Sequence, residues 1–346
     1  MNLEYRPPLW LPEGQSQTII GSKLARYPRI HFMRQRIETP DGDFIDLDWN
    51  IPAQHPLDAK LTTGTASTPS PQVAEPVPQF TGKALVLFHG LEGSSQSHYA
   101  QSLCHDFRTR GWAVVVAHFR GCSGEPNRLP RSYFSGDTQD VSTVMAALRH
   151  RLPHAQWYAA GVSMGGNVLL KYLAEQGHQA DFLFAAASVS TPTDLVATGL
   201  QLGKGFFGRF VYTPYFLTTM KPKMREKAQR FPDMIDIAHI EAARNLQEFD
   251  DCYTGPIHGF KNAIDYWTRC SSKPELIHIR IPTLILNAKN DPFIPRESLP
   301  TLRDVSSTVL LHQPEHGGHV GFSQGTFPHK LGWLSERLYR FFEGLV

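Results

Sequence analysis

Apolar positions follow two different periods along this chain. Over 34–49, "RQRIETPDGDFIDLDW", apolar and polar residues alternate on either side of Pro40, Asp41 and Gly42, which predicts an antiparallel hairpin closed at that turn. From residue 83 the pattern changes to short apolar runs: "ALVLF" (84–88), "AVVVAHF" (113–119), "WYAAG" (157–161), "LFAAASV" (183–189), "PTLILNA" (282–288) and "TVLLHQ" (308–313). Runs apolar on both faces and separated by helical segments predict a mostly parallel sheet with helices on both sides, the α/β class.

Two intervals break this rhythm. Residues 52–82 are rich in Pro, Thr, Ser, Ala and Gln with little to bury, and predict a flexible loop. Between 191 and 275 the chain is rich in Phe, Tyr, Lys and Arg with helical stretches such as "MIDIAHIEAARNLQEFD", which predicts an inserted helical cap. The expected organisation is an N-terminal extension over 1–33, a core over 34–190 and 276–346, and the cap over 191–275.

At 346 residues and 41% hydrophobic, the chain can bury a sizeable core. Its 34 basic and 32 acidic residues leave a formal charge of +2, so no basic field suggests a nucleic-acid partner. The first residues, "MNLEYRPPLWLPEGQSQ", lack the apolar stretch of a signal peptide, and no later stretch approaches a membrane span. Cys104, Cys122, Cys252 and Cys270 form no C-x-x-C pair, so reduced thiols are expected rather than disulfides or a zinc site. Together these features predict a soluble cytoplasmic protein.

Candidate chemistry centres on "AAGVSMGGN" (159–167), where Gly161, Val162, Ser163, Met164 and Gly165 match G-x-S-x-G. Alone, this could be a glycine-rich corner with a serine cap. Its context is more demanding: an apolar strand precedes it, and "NVLLKYLAEQG" follows with Val168, Leu169, Tyr172 and Leu173 on one helical face. A serine hydroxyl also needs a base and a group to orient that base. Asp291, in "KNDPFIP" after one strand, and the histidines of "PEHGGHVGF" after the last strand supply both, in the order serine, acid, histidine. Ends of parallel strands share one edge of the sheet, so these loops can meet there. Either His316 or His319 could reach; the two glycines before His319 favour it as the base, with His316 a neighbour. Neither an H-E-x-x-H helix nor a carboxylate cluster accompanies that pair, so no metal and no cofactor is expected. The loop "HGLEGSSQSHY" is expected to aim the Leu91 N–H, beside that of Met164, at a substrate oxyanion.

Within the cap, the aromatic run of Phe206, Phe207, Phe210, Tyr212, Tyr215 and Phe216 is read either as the lining of an acyl pocket, with Phe206 and Phe207 bearing on chain length, or as cap core. The basic run of Lys221, Lys223, Arg225, Lys227 and Arg230 is read either as favouring an anionic leaving group or a weak contact with a lipid surface, or as a solvated helix face.

The segments "FHGLEGSSQSHYA", "HFRGCSGEPNR", "GVSMGGN", "QEFDD", "AIDYW", "AKNDPF" and "HGGHVGF" together resemble the YheT-type esterases of the α/β-hydrolase superfamily. The resemblance runs from the hairpin to the last helix. It implies a doubly wound hydrolase fold, with Ser163 as nucleophile, Asp291 as acid and His319 as base, acting on a small-molecule carboxylic ester. Relatives of the wider family include phospholipases and alcohol acyltransferases. An acyltransferase, a thioesterase, a lipase-like enzyme and a non-catalytic binding protein of the same fold are the competing readings. The chain departs from the family pattern at Gln15, where relatives often carry histidine, and in the length of 52–82. Arg120, Glu125 and Arg128 of "RGCSGEPNR" are expected to brace the sheet edge through ion pairs.

Overall fold

The computed structural model describes residues 4–25, 27–52, 80–327 and 330–345; the loop expected over 52–82 lies almost wholly outside them. Eight strands form one sheet: β1 (Met33–Glu38), β2 (Phe44–Asn50), β3 (Lys83–Phe88), β4 (Ala113–Ala117), β5 (Gln156–Val162), β6 (Leu183–Val189), β7 (Thr283–Leu286) and β8 (Val309–His312). Their spatial order is β1-β2-β4-β3-β5-β6-β7-β8. β1 and β2 pair antiparallel, β2 joins β4 antiparallel, and every pair from β4 to β8 is parallel. The continuous apolar runs of β3 to β6 follow from this arrangement, because alternate side chains face two different helical layers. Val86, Val115 and Ala159 pack with residues of α3 (Thr138–Arg151) and α4 (Met164–Gln176). Leu85, Leu87, Val114 and Ala160 pack with α2 (His98–Thr109) and α12 (Gly332–Phe342).

The hairpin follows a different rule. Ile45, Leu47 and Trp49 enter the core, whereas Asp46 and Asp48 on the other face accept from Arg36 and Arg34, each at 2.8 Å. The "RGCSGEPNR" loop closes over this face: buried Arg120 bonds Asp140 at 2.6 Å, Asp41 at 2.8 Å and Asp43 at 3.2 Å. Glu125 pairs with Arg36 and Arg128 with Glu38 on the exposed side. Arg120 is the structural member of this set, since exposed pairs contribute little.

α1 (Gly14–Leu24) precedes the sheet. Between β6 and β7 the described chain is helical: α5 (Leu195–Leu202), α6 (Gly205–Phe207), α7 (Thr213–Arg230), α8 (Ile237–Ala242), α9 (Leu246–Phe249), α10 (Gly255–Ile257) and α11 (Ala263–Cys270). These cap helices bury their own cluster, which includes Leu202, Tyr212, Met224 and Phe249, against Phe293 and Ile294 of the loop after β7. Among the described residues no helix is long and apolar enough to cross a membrane, and all four cysteines are free.

Candidate active site

Ser163 sits between β5 and α4 at φ +53°, a strained conformation for a residue with a side chain. The glycines around it are required by close backbone approach. A Cβ on Gly161 would stand 2.5 Å from Gly165 O, and one on Gly165 only 2.3 Å from His89 O, with no flexible side chain to yield. The Ser163 N–H donates to Val189 O at 2.8 Å, tying the turn to β6 and leaving the hydroxyl free to project.

The hydroxyl meets a histidine. Ser163 Oγ lies 2.9 Å from His319 Nε2, and His319 Nδ1 lies 2.8 Å from Asp291 Oδ2. With Nδ1–H donating to the carboxylate, Nε2 is the ring nitrogen left to accept a hydrogen bond from the serine hydroxyl. Asp291 is buried, and its second oxygen accepts the Phe293 N–H at 2.8 Å. The Phe293 ring stacks on the imidazole with centroids 4.2 Å apart. His316, the other candidate, is exposed and among the described residues hydrogen-bonds only Asn290, at 3.5 Å.

The histidine loop is held by α1, which sequence reasoning left without a role. Gln17 Oε1 accepts the Gly317 N–H at 2.8 Å, and Thr18 Oγ1 accepts that of His319 at 2.8 Å. The Val320 N–H donates to Ser190 Oγ at 2.9 Å. Gln15, where the chain departs from the family pattern, bonds the Tyr212 hydroxyl and so joins α1 to the cap. The only sequence signal for the α1 contacts is the polar string "GQSQT"; its partners lie 197 to 301 residues away, where no local pattern points.

On the other side of Ser163, two tyrosines grip the loop after β3. Tyr99 OH accepts the Gly90 N–H at 2.8 Å. Tyr133 OH accepts the Glu92 N–H at 3.1 Å and donates to Glu92 Oε1 at 2.8 Å, closing a ring around a residue held at φ +55°. His89 anchors the same loop: its Nε2 accepts the Phe119 N–H, so Nδ1 is the nitrogen that donates to Gly90 O. Burial holds its imidazole neutral by lowering its pKa to about 3. Between the two gripped residues, the Leu91 N–H makes no hydrogen bond among the described residues, nor does that of Met164. Both residues line a cavity of about 300 Å³ with Ser163 and His319.

That cavity runs under the cap, between Leu195, Leu202, Met224, Phe249 and Trp267. A second one, of about 430 Å³, reaches Ser163 and His319 from between α1 and the cap, past Ile19, Tyr212 and Phe216. The aromatic run is divided differently from the expectation. Phe216 faces both cavities, but Phe206 and Phe207 line neither and are 69% and 37% exposed. The glycines at 203, 205 and 208 break the helical register there, so the pattern carries no fixed face. The basic run is also not an open cationic face. Lys223 bonds Glu92 at 2.8 Å, Arg225 bonds Glu241 at 2.7 Å, and buried Lys227 donates to Asn127 Oδ1 at 2.6 Å. Among the described residues no group of three His, Cys, Asp or Glu side chains could hold a metal.

Comparison with known proteins agrees with this architecture. The family model for the alpha/beta hydrolase fold matches residues 83–326. The YheT protein of Escherichia coli (strain K12), an esterase by its name alone, is 40% identical over 324 residues, covering 93% of this chain and 88% of the other. Human Phospholipase ABHD3 is 30% identical over 346 residues, 99% of this chain and 79% of the other. Among solved structures, the Pyrococcus furiosus esterase Pf2001 superposes with a TM-score of 0.51 at 15% identity, covering 92% of this chain and 99% of that one. At that identity the likeness shows the fold alone.

Proposed function

This chain belongs to the α/β-hydrolase family, in its YheT-type branch, and from that premise we propose that it is a serine carboxylic ester hydrolase acting through an acyl-enzyme on small acyl esters of short to medium chain. The observation that carries the reading is the unbroken hydrogen-bonded chain from Asp291 through His319 to Ser163, 2.8 and 2.9 Å long, at the meeting point of two cavities. Relatives named as an esterase and a phospholipase support the class of bond.

In this mechanism His319 Nε2 takes the proton of Ser163 Oγ as it attacks the ester carbonyl, and Asp291 stabilises the imidazolium. The Leu91 and Met164 N–H groups receive the negative oxygen that forms. Collapse breaks the C–O bond to the alcohol, which leaves with the proton from His319. Water, deprotonated by the same histidine, then attacks the acyl-serine and releases the acid. The four free cysteines support a cytoplasmic setting.

The second cavity supports one further reading, acyl transfer, since an alcohol entering there could intercept the acyl-serine in place of water. A fluorophosphonate probe tests the main reading: it should label the chain, and labelling should vanish in Ser163→Ala. Persistent labelling of that variant would place the nucleophile elsewhere, and a chain that is never labelled would be a binding protein. The ratio of acid to new ester formed in the presence of butanol separates hydrolysis from transfer.

A further inference from the structure

The loop that carries His319 is shaped from outside itself. Four consecutive backbone N–H groups, from Gly317 to Val320, donate to side chains of other elements: Gln17 Oε1 at 2.8 Å, Asn290 Oδ1 at 3.0 Å, Thr18 Oγ1 at 2.8 Å and Ser190 Oγ at 2.9 Å. Among the described residues none of these four donates to a backbone carbonyl. Gly317, Gly318 and Val320 all have positive φ, and at +57° the branched Val320 keeps a conformation that persists only where its surroundings impose it.

Two of the four acceptors belong to α1, and a third leans on it. Gln17 is fully buried, and its amide is fixed because Nε2–H donates to Leu11 O at 2.7 Å, which turns Oε1 toward Gly317. The same oxygen accepts from Asn290 Nδ2 at 3.2 Å. Asn290 immediately precedes Asp291, so one side chain of α1 ties the acid loop to the base loop. Thr18 Oγ1 spends its proton on Gly14 O, at 2.7 Å, and is left as an acceptor for the His319 N–H. The seat is tight: a Cβ on Gly14 would stand 1.9 Å from Asn290 O, and one on Gly321 only 2.3 Å from Gln17 O. α1 is held in turn by the cap, since Gln15 bonds the Tyr212 hydroxyl, and Tyr212 meets edge-on, at 4.6 Å, the Phe293 ring that stacks on the imidazole.

We propose that α1 is a clamp on the triad, with Gln17 and Thr18 as positioning residues that act through the His319 loop to keep the imidazole in line between Asp291 and Ser163. The inference rests on the ester-hydrolase reading for the reaction that this alignment serves. A misplacement of about 1 Å in a reacting group is enough to cost on the order of a hundredfold in rate, so the two bonds that fix the loop bear directly on turnover.

The test compares two full-length variants of one residue. Thr18→Val keeps the shape of the side chain and removes the acceptor, whereas Thr18→Ser keeps the acceptor. Thr18→Val should lower kcat for a p-nitrophenyl ester by about tenfold to a hundredfold with KM within about twofold, and Thr18→Ser should return kcat to within about threefold of the native chain. Gln17→Met, which unties the two loops, should cost as much or more, with the Thr18 pair deciding should that variant not fold. Rates are counted per active site, titrated to completion with the fluorophosphonate probe, so that loss of folded protein is not mistaken for loss of alignment. A second readout is the NMR resonance of the proton between His319 Nδ1 and Asp291, identified by its disappearance in His319→Ala. It should be sharp in the native chain and in Thr18→Ser, and broadened or shifted in Thr18→Val. An unchanged kcat per site, an unchanged resonance, or equal damage in Thr18→Ser and Thr18→Val would overturn the clamp. A native chain with neither labelling nor turnover would sink the hydrolase reading, and the resonance would then judge the clamp on its own.

Discussion

At the strand end of the cavity, polar groups beside Ser163 are held by partners fixed elsewhere in the molecule. Gly90 and Glu92 are gripped by Tyr99 and Tyr133, and Gly317, His319 and Val320 by Gln17, Thr18 and Ser190. At the cap end the lining is mainly apolar, from Leu195, Leu202, Met224 and Phe249. The strand end is fixed in place before any ligand arrives, and the Leu91 and Met164 N–H groups, which make no hydrogen bond among the described residues, belong to residues that line the cavity with Ser163. Such preorganisation suits a place where charge must develop and be met without rearrangement. The cap end offers apolar walls, which suits a place where ligands are told apart by length and shape. The difference suggests that changes at the strand end alter rate and changes at the cap end alter choice.

The largest expected effects test the strand end directly. Ser163→Ala, Asp291→Ala and His319→Ala should each lower kcat/KM for a p-nitrophenyl ester by about 10⁴-fold or more, with double variants little worse than the worst single one. His316→Ala should change nothing, since that ring is exposed and, among the described residues, hydrogen-bonds only Asn290. A loss in His316→Ala comparable to that in His319→Ala would break the assignment of the base.

Next come the grips. Tyr133→Phe removes the acceptor of the Glu92 N–H and the donor to its carboxylate, freeing a residue held at positive φ beside Leu91. A drop in kcat of about tenfold to a hundredfold, with KM nearly unchanged, is expected because the oxyanion exists only in the transition state. A rise in KM with kcat intact would make Tyr133 a wall of the cavity and nothing more.

How far each end could be read in advance follows the same division. The loops carrying Ser163 and Asp291 follow β5 and β7, whose apolar runs are continuous because both faces are buried, and the His319 loop follows the short, partly exposed β8, so their positions at one sheet edge are legible in local pattern. The grips are not, because Gln17 and Thr18 meet partners some three hundred residues away and their side chains carry no periodic signal. In the cap, composition indicated helices and aromatic content, but not facing. Phe216 turns to the cavity and Phe206 away from it, since a π-helical turn over Gly208–Tyr212 shifts the register between them.

The cap end should respond in selectivity at smaller cost in rate. Phe216→Ala, at the junction of the two cavities, should move the preferred ester chain length toward longer acyl groups, changing the ratio of long to short substrates by about tenfold, the order for one or two methylenes of apolar fit. An equal fall in kcat/KM for all lengths would show that the ring serves the reaction and not the choice.

The smallest effect is expected where the aromatic run leaves the cavity altogether. Phe206 contacts Phe207 and Phe210 with ring centroids 5.7 and 5.3 Å apart, and Phe207 lies beside Tyr212, which lines the cavity shared with α1. Lys204 and Arg209 flank this exposed cluster, and no acidic residue lies between 203 and 215. Aromatic rings bordered by cations suit a weak contact with an anionic lipid surface better than acyl binding. The double variant Phe206→Ala and Phe207→Ala should therefore keep the chain-length profile on soluble esters within about twofold, because no wall of either cavity is lost. On vesicles containing phosphatidylserine, sedimentation of the variant should fall severalfold, and high salt should weaken what remains. A shifted chain-length profile in soluble assays would bring these rings back to the substrate and erase the boundary between the outward and inward faces of the cap. An unchanged profile with unchanged vesicle binding would leave the cluster without a lipid role while keeping that boundary intact.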